Sequence, residues 1–328
     1  MNQNLIAVSL KDVFGLSDAG DRKVPGFEVT EQTKLYIPTS NTNYVFRKDS
    51  LRDLLAFLMR PRGDAMWITG PTGGGKTSIV LETAARLNWP VTQVTCHGSL
   101  EFLDLKGQFI LKSDGSGQQP SMRYQYGPLA TAMKYGHILI LNEVDLMDPG
   151  ELAGMNDVLE GRPLFLPECN EVIEPHPNFR LVATANSAGN GDATGLYQGI
   201  QSQNIAAMDR YRVLEIDYPD KAIEESILAK IAPQILPAIR SKMVQMAEEI
   251  RSAFKGSDGV PGRLSVTMST RTLVRWAQLA LDMAGADNAL KYALGPALAN
   301  RCTPEERMAI EEIAQTVFGS DWEVKKRH

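Results

Sequence analysis

Gly70-Pro71-Thr72-Gly73-Gly74-Gly75-Lys76-Thr77-Ser78 is the stretch on which the reading of this chain turns. It contains G-x-x-x-x-G-K-T without a gap. Glycines in that pattern let backbone N–H groups turn inward around a polyphosphate. Lys76 can then reach the β- and γ-phosphates, and the Thr77 hydroxyl can ligate Mg²⁺. The flanks agree. Ala65-Met66-Trp67-Ile68-Thr69 is a short apolar run of strand type, and residues 78–87 have helical apolar spacing. Strand, glycine loop and helix in that order place the phosphates on a helix N-terminus, where the backbone dipole favours anions. ATP and Mg²⁺ are the expected cofactors.

Working outward, the alternation continues. Short apolar runs at 65–69, 91–95, 137–141, 180–184 and 212–216 alternate with helical segments, the pattern of a parallel α/β sheet. Two stretches interrupt it. Residues 108–112 and 121–124 read as a β-hairpin with a small polar tip, Asp114-Gly115-Ser116-Gly117. Residues 163–166 and 171–173 read as a second hairpin. Helices are expected at 50–58, with Ser50 as N-cap, and after Pro219 at 221–231, 237–254, 271–284, 286–294 and 303–318. The expected division is an N-terminal arm (1–45), an α/β nucleotide-binding domain (46–219) and a smaller helical domain (220–328). A loop at 255–262 joins two of its helices, and a frayed basic tail ends the chain at 325–328.

Composition narrows the class. The 328 residues are 43% hydrophobic and 22% charged, values of a soluble globular protein. The net charge of −5 argues against general affinity for nucleic acid or an anionic membrane. No apolar run reaches membrane-spanning length, and the first residues carry no basic-then-apolar signal pattern. Three dispersed cysteines, Cys96, Cys169 and Cys302, fit neither a zinc site nor a disulfide framework. A cytoplasmic location is expected.

The next motifs add hydrolysis to binding. Residues 138–143, ILILNE, form an apolar strand ending in two polar residues. Glu143 is placed to act as general base on the attacking water. Asn142 occupies the position where an Asp usually helps hold Mg²⁺, so weaker metal retention is expected. Asp145 is a candidate substitute for that charge, or a solvated residue at a helix start. Residues 181–186, LVATAN, form a second apolar strand, and Asn186 stands where NTPases with an additional strand keep the sensor that orients the lytic water. Arg210, in Met208-Asp209-Arg210-Tyr211-Arg212, is the candidate arginine finger reaching a neighbouring protomer's γ-phosphate, with Arg212 as second choice. Ser269 or Thr270 caps the helix from 271, and Arg271 faces back to the phosphates as a second sensor, with Arg275 one turn on.

Together these motifs resemble the MoxR-type AAA+ ATPases, and among them the CobS-like ATPase subunits of aerobic cobaltochelatase. Further stretches carry the resemblance: 13–16 with 23–27, 85–90, 176–186 and 191–197. Two features depart from it, Asn142 and a distinct insert around 113–119. The resemblance implies an AAA+ domain with hairpin inserts and a small helical lid, assembled as a hexameric ring with ATP at subunit interfaces. It also implies a partner bearing a von Willebrand factor A (VWA) domain and, in cobaltochelatase, a large subunit that inserts cobalt. His97, His137 and His176 are too dispersed to be a ligand set here.

Two functions compete. One is a motor that couples ATP hydrolysis to remodelling of a partner complex. The other is a nucleotide-stabilised ring scaffold in which Asn142 leaves turnover negligible. A DNA-directed motor is disfavoured, because the first hairpin carries only Lys112 and Arg123 as basic residues.

Overall fold

The structure is a computed structural model and describes residues 4–112, 120–191, 199–256 and 262–323. The hairpin tip at 114–117, the 113–119 insert, most of the 191–197 stretch, the middle of the 255–262 loop and the basic tail lie outside the described residues. The chain divides into two compact units. One comprises Met1–Asn41, Lys48–Gly70 and Lys76–Ile216, the other Thr42–Arg47, Pro71–Gly75 and Asp217–His328.

The first unit opens with β1 (Leu5–Ser9), α1 (Leu10–Phe14) and β2 (Lys23–Phe27), the two strands pairing antiparallel. This arm is attached by packing and by charge. Phe27 meets Trp89 edge-on at 4.9 Å, and the Glu82 carboxylate accepts from the Asn41 N–H at 3.1 Å. Helix α2 spans Lys48–Met59, so Ser50 lies within its first turn and does not cap it. The earlier start has a physical reason: Asp49 sits at the positive end of the helix dipole and pairs with Arg52 at 3.1 Å.

Next come β3 (Ala65–Thr69), α3 (Lys76–Leu87), β4 (Val91–Thr95), α4 (Phe102–Lys106), the hairpin strands β5 (Gly107–Lys112) and β6 (Ser121–Tyr126), and α5 (Pro128–Tyr135). They are followed by β7 (Ile138–Asn142), α6 (Pro149–Ala153), α7 (Asn156–Leu159), a second hairpin of β8 (Leu164–Leu166) and β9 (Glu171–Ile173), β10 (Arg180–Thr184), α8 (Ile205–Met208) and β11 (Tyr211–Glu215). Five strands form one parallel sheet in the order β11-β3-β10-β7-β4. The three central strands are buried at every residue, which is why they read as unbroken apolar runs. The edge strands β4 and β11 alternate. Strand β10 lies between β3 and β7, with Thr184 level with both Ile68 and Asn142. That register brings the ends of the loop strand, the 138–143 strand and the sensor strand to one edge. At the opposite edge His137 is fully buried, with Nδ1 bonded to Thr92 Oγ1 at 2.9 Å. Burial, helped by the nearby His176, pushes its pKa down to about 4.

The two hairpins are joined. Lys134 of α5 donates to Tyr126 Oη and to Glu171 Oε1, each at 2.7 Å, and Tyr126 donates to the other oxygen of Glu171. The Lys134 bond is the main reason the Glu171 carboxyl titrates below its usual range. On the first hairpin Phe109, Leu111 and Met122 are exposed on one face, as are Phe165 and Val172 on the second.

The second unit is helical: α9 (Lys221–Ile231), α10 (Pro237–Lys255), α11 (Thr270–Asp282), α12 (Ala289–Ala297) and α13 (Pro304–Phe318). It has its own core around Trp276, Phe318 and Trp322. Helix α12 starts three residues later than the apolar spacing implied, because the Asn288 side chain caps it by accepting from Lys291 N–H at 3.0 Å. No helix among the described residues is long and apolar enough to cross a membrane.

Candidate active site

In the first unit the site is built on the carboxyl edge of the sheet. Gly70 follows β3 with φ +142°, and a Cβ there would stand 2.0 Å from Ile216 O, so no other residue fits. Lys76, the first residue of α3, donates from Nζ to Gly70 O at 2.7 Å and to Asn186 Oδ1 at 2.8 Å. The lysine and the expected sensor are therefore within one hydrogen bond of each other, although 110 residues separate them in sequence.

Thr77 donates its hydroxyl to Asn142 Oδ1 at 2.7 Å, and Thr184 donates to the same oxygen at 3.3 Å. The Asn142 amide nitrogen donates to Val94 O at 3.4 Å. Asn142 is buried and uses both ends of its amide. A carboxylate in its place would face the Val94 carbonyl with no proton to offer. The Thr77 hydroxyl and Asn142 amide oxygen are hard neutral donors that suit Mg²⁺ or its water shell.

Glu143 follows immediately with φ +55° and ψ +40°, a left-handed conformation that costs a non-glycine residue about 1 kcal/mol. Its side chain is exposed and makes no hydrogen bond or ion pair among the described residues. The turn holds it at the sheet edge, open to an incoming water. Asp145 is not a solvated helix-start residue, and its Oδ1 is buried without a hydrogen-bond partner among the described residues. It is fully buried, and Oδ2 accepts from the backbone N–H groups of Asn186 (2.8 Å) and Ser187 (3.2 Å). Burial raises its pKa against those bonds. Asp145 thus ties the turn after β7 to the turn after β10. Cys96, adjacent to this edge, is inert as a nucleophile: burial, with the Asp145 and Glu143 charges adding, pushes its thiol to about 12.

Arg210 lies just beyond α8. It donates to Glu160 from Nε at 3.0 Å and again from Nη2. Glu160 also pairs with Arg162 at 2.6 Å, and the Arg210 bond is the first cause of its lowered pKa. Arg212 pairs with Asp64 at 2.8 Å.

In the second unit, residues 71–75 of the glycine loop meet the helical region. Gly73 has φ +69°, and a Cβ there would lie 2.6 Å from Ser269 Cβ and 3.6 Å from Arg271 Cβ. Ser269 caps α11 by accepting from Thr272 N–H at 3.2 Å. Arg271 and Arg275 are both exposed and unpaired among the described residues. Arg47 holds the loop backbone, donating to Gly74 O at 2.8 Å and also to Asp217 O. No sequence pattern marks Arg47. Tyr218 is equally unmarked by any sequence pattern and lies in the Asp217–His328 segment of this unit.

Comparison with known proteins gives the family. Residues 65–202 match the family described as AAA domain (dynein-related subfamily), and residues 224–317 match the CbbQ/NirQ/NorQ C-terminal family. The chain is 32% identical to the aerobic cobaltochelatase subunit CobS of Sinorhizobium sp over 320 residues, covering 95% of this chain and 90% of that one. It is 29% identical to protein CbbQ of Hydrogenophilus thermoluteolus over 254 residues, covering 77% of this chain and 87% of that one. An α/β P-loop unit with hairpin inserts, a helical C-terminal unit and relatives along almost its whole length place the chain in one family: it belongs to the MoxR-type AAA+ ATPases of the CobS and CbbQ kind.

Proposed function

We propose that this chain is the motor of a cytoplasmic remodelling system of the cobaltochelatase type, or of a related MoxR and VWA-domain system. It works as a hexameric ring. ATP sits on residues 70–78, held by loop N–H groups and by Lys76. Mg²⁺ held through Thr77 and Asn142 would neutralise charge on the β- and γ-phosphates. Glu143 takes the proton of the attacking water, Asn186 orients that water, and Arg271 contacts the γ-phosphate. Arg210 of a neighbouring copy, released from Glu160, completes the charge stabilisation. A VWA-domain protein receives the motion, and a large chelatase subunit would carry any cobalt chemistry. CobS is a subunit of a cobaltochelatase by its name, and its likeness to this chain over 90% of its length supports that placement.

The observation that carries the reading is the alignment of Asn142, Glu143 and Asn186 at one sheet edge, with Lys76 bonded to Asn186. A scaffold without turnover would need no free carboxylate held in a strained turn. The test is Glu143→Gln. Phosphate release is expected to fall at least a hundredfold, the ordinary loss of a general base, while ATP stays bound. Wild-type protein that binds ATP yet releases no phosphate would favour the scaffold.

A further inference from the structure

The helical unit contains a buried polar chain that the chemistry above does not use. Arg251 of α10 and Glu224 of α9 form a two-pronged ion pair, with bonds of 2.9 and 2.7 Å. Their side chains are only 8% and 1% exposed. Arg251 also donates from Nε to Met268 O at 2.8 Å. Such a pair is rigid, because moving either partner strands a buried charge.

Two arms lead from it. On one side, Thr270 donates its hydroxyl to Glu224 Oε1 at 2.7 Å. Thr270 is the first residue of α11, and Arg271 is the next. On the other side, the Arg251 guanidinium stacks on the Tyr218 ring at 4.2 Å, and the Tyr218 hydroxyl donates to Thr72 O of the glycine loop at 3.1 Å. The helix start and the loop therefore meet twice. They pack directly at Gly73 and Ser269, and they are joined through Thr72, Tyr218, Arg251, Glu224 and Thr270. Arg271 has no side-chain partner among the described residues, so only the placement of the α11 backbone aims it.

We infer that Tyr218 is a positioning residue for Arg271. Through its hydroxyl it registers the α11 N-terminus on the glycine loop, so that Arg271 meets the γ-phosphate in the hydrolytic geometry. The inference rests on the reading of Arg271 as the second sensor. A tyrosine that merely filled space would behave as phenylalanine does. A tyrosine that acts through Arg271 has an effect only while Arg271 is present.

The experiment is a double-mutant cycle on the full chain with Y218F, R271A and the combination, measuring kcat and KM for ATP and the melting temperature. Y218F keeps the stacked ring and loses one hydrogen bond. We expect kcat to fall about fivefold, the scale of one such bond, with KM and melting temperature little changed. On the R271A background, Y218F should cost nothing further. Wild-type kcat in Y218F overturns the proposal, and so does a Y218F loss that repeats in full on R271A. In both cases a turnover defect in R271A alone leaves the sensor reading standing. Wild-type turnover in R271A removes that reading and the proposal with it.

Discussion

Asn142 is a single residue whose packing partners are fixed by the fold and whose proposed contact with Mg²⁺ can be tested. Its amide serves Thr77 and Thr184 as acceptor and Val94 as donor, all within a buried strand end. Asn142→Asp would restore the usual negative charge beside the metal and strand that carboxylate against the Val94 carbonyl. The expected result is a several-fold lower Mg²⁺ concentration for half-maximal turnover, with stability reduced by about 1 kcal/mol. A Mg²⁺ titration and a thermal melt check both halves; an unchanged titration would mean that position 142 does not reach the metal. Asp145 carries the same lesson. From sequence it is a candidate substitute for the missing charge or a solvated helix-start residue; the structure buries it, with Oδ2 accepting from the backbone N–H groups of Asn186 and Ser187 and Oδ1 without a partner among the described residues.

At the level of elements, the two hairpins are expected to behave as a pair, because Glu171 of β9 and Tyr126 of β6 share Lys134 of α5. The group is about one third exposed, so it is worth only about 1 kcal/mol. Glu171→Ala is expected to speed amide exchange in both hairpins, β5–β6 as well as β8–β9. Exchange in the buried strand β7 should stay as it was. Hydrogen exchange read by mass spectrometry tests this, and a change confined to β8–β9 would show the hairpins to be independent. The exposed Phe109, Leu111 and Met122 lie on one of these coupled arms.

For the whole molecule, the proposed ring makes each site the property of two chains. Arg210 spends its charge on Glu160 within its own chain, a partly exposed pair that solvent screens and that is readily exchanged for a phosphate. R210A and E143Q proteins should each be inactive alone. Mixed in equal amounts they should regain turnover, because roughly one interface in four would join an intact Glu143 to an intact Arg210. A mixture that stays inactive would place the arginine's role within its own chain, or nowhere in the reaction.

The sequence alone was sufficient for whatever local chemistry writes into spacing. Five apolar runs at buried-strand length and a glycine loop between strand and helix all fell where the strands stand, within one residue, and Glu143 and Asn186 follow the ends of β7 and β10 by one and two residues. These follow from backbone sterics and the side-chain period, which act over a few residues. Ser50 misled because a hydroxyl before apolar residues marks a helix start only when no better first turn precedes it, and Lys48-Asp49 supplies one. Tertiary structure decided the rest. Insertion of β10 between β3 and β7 brought Asn186 to Lys76. The roles of Arg47, Asp145, Glu160 and the Tyr218–Arg251–Glu224 chain depend on partners tens to hundreds of residues away. Their energies arise from burial and from charges meeting in three dimensions, and no local window of residues contains that information.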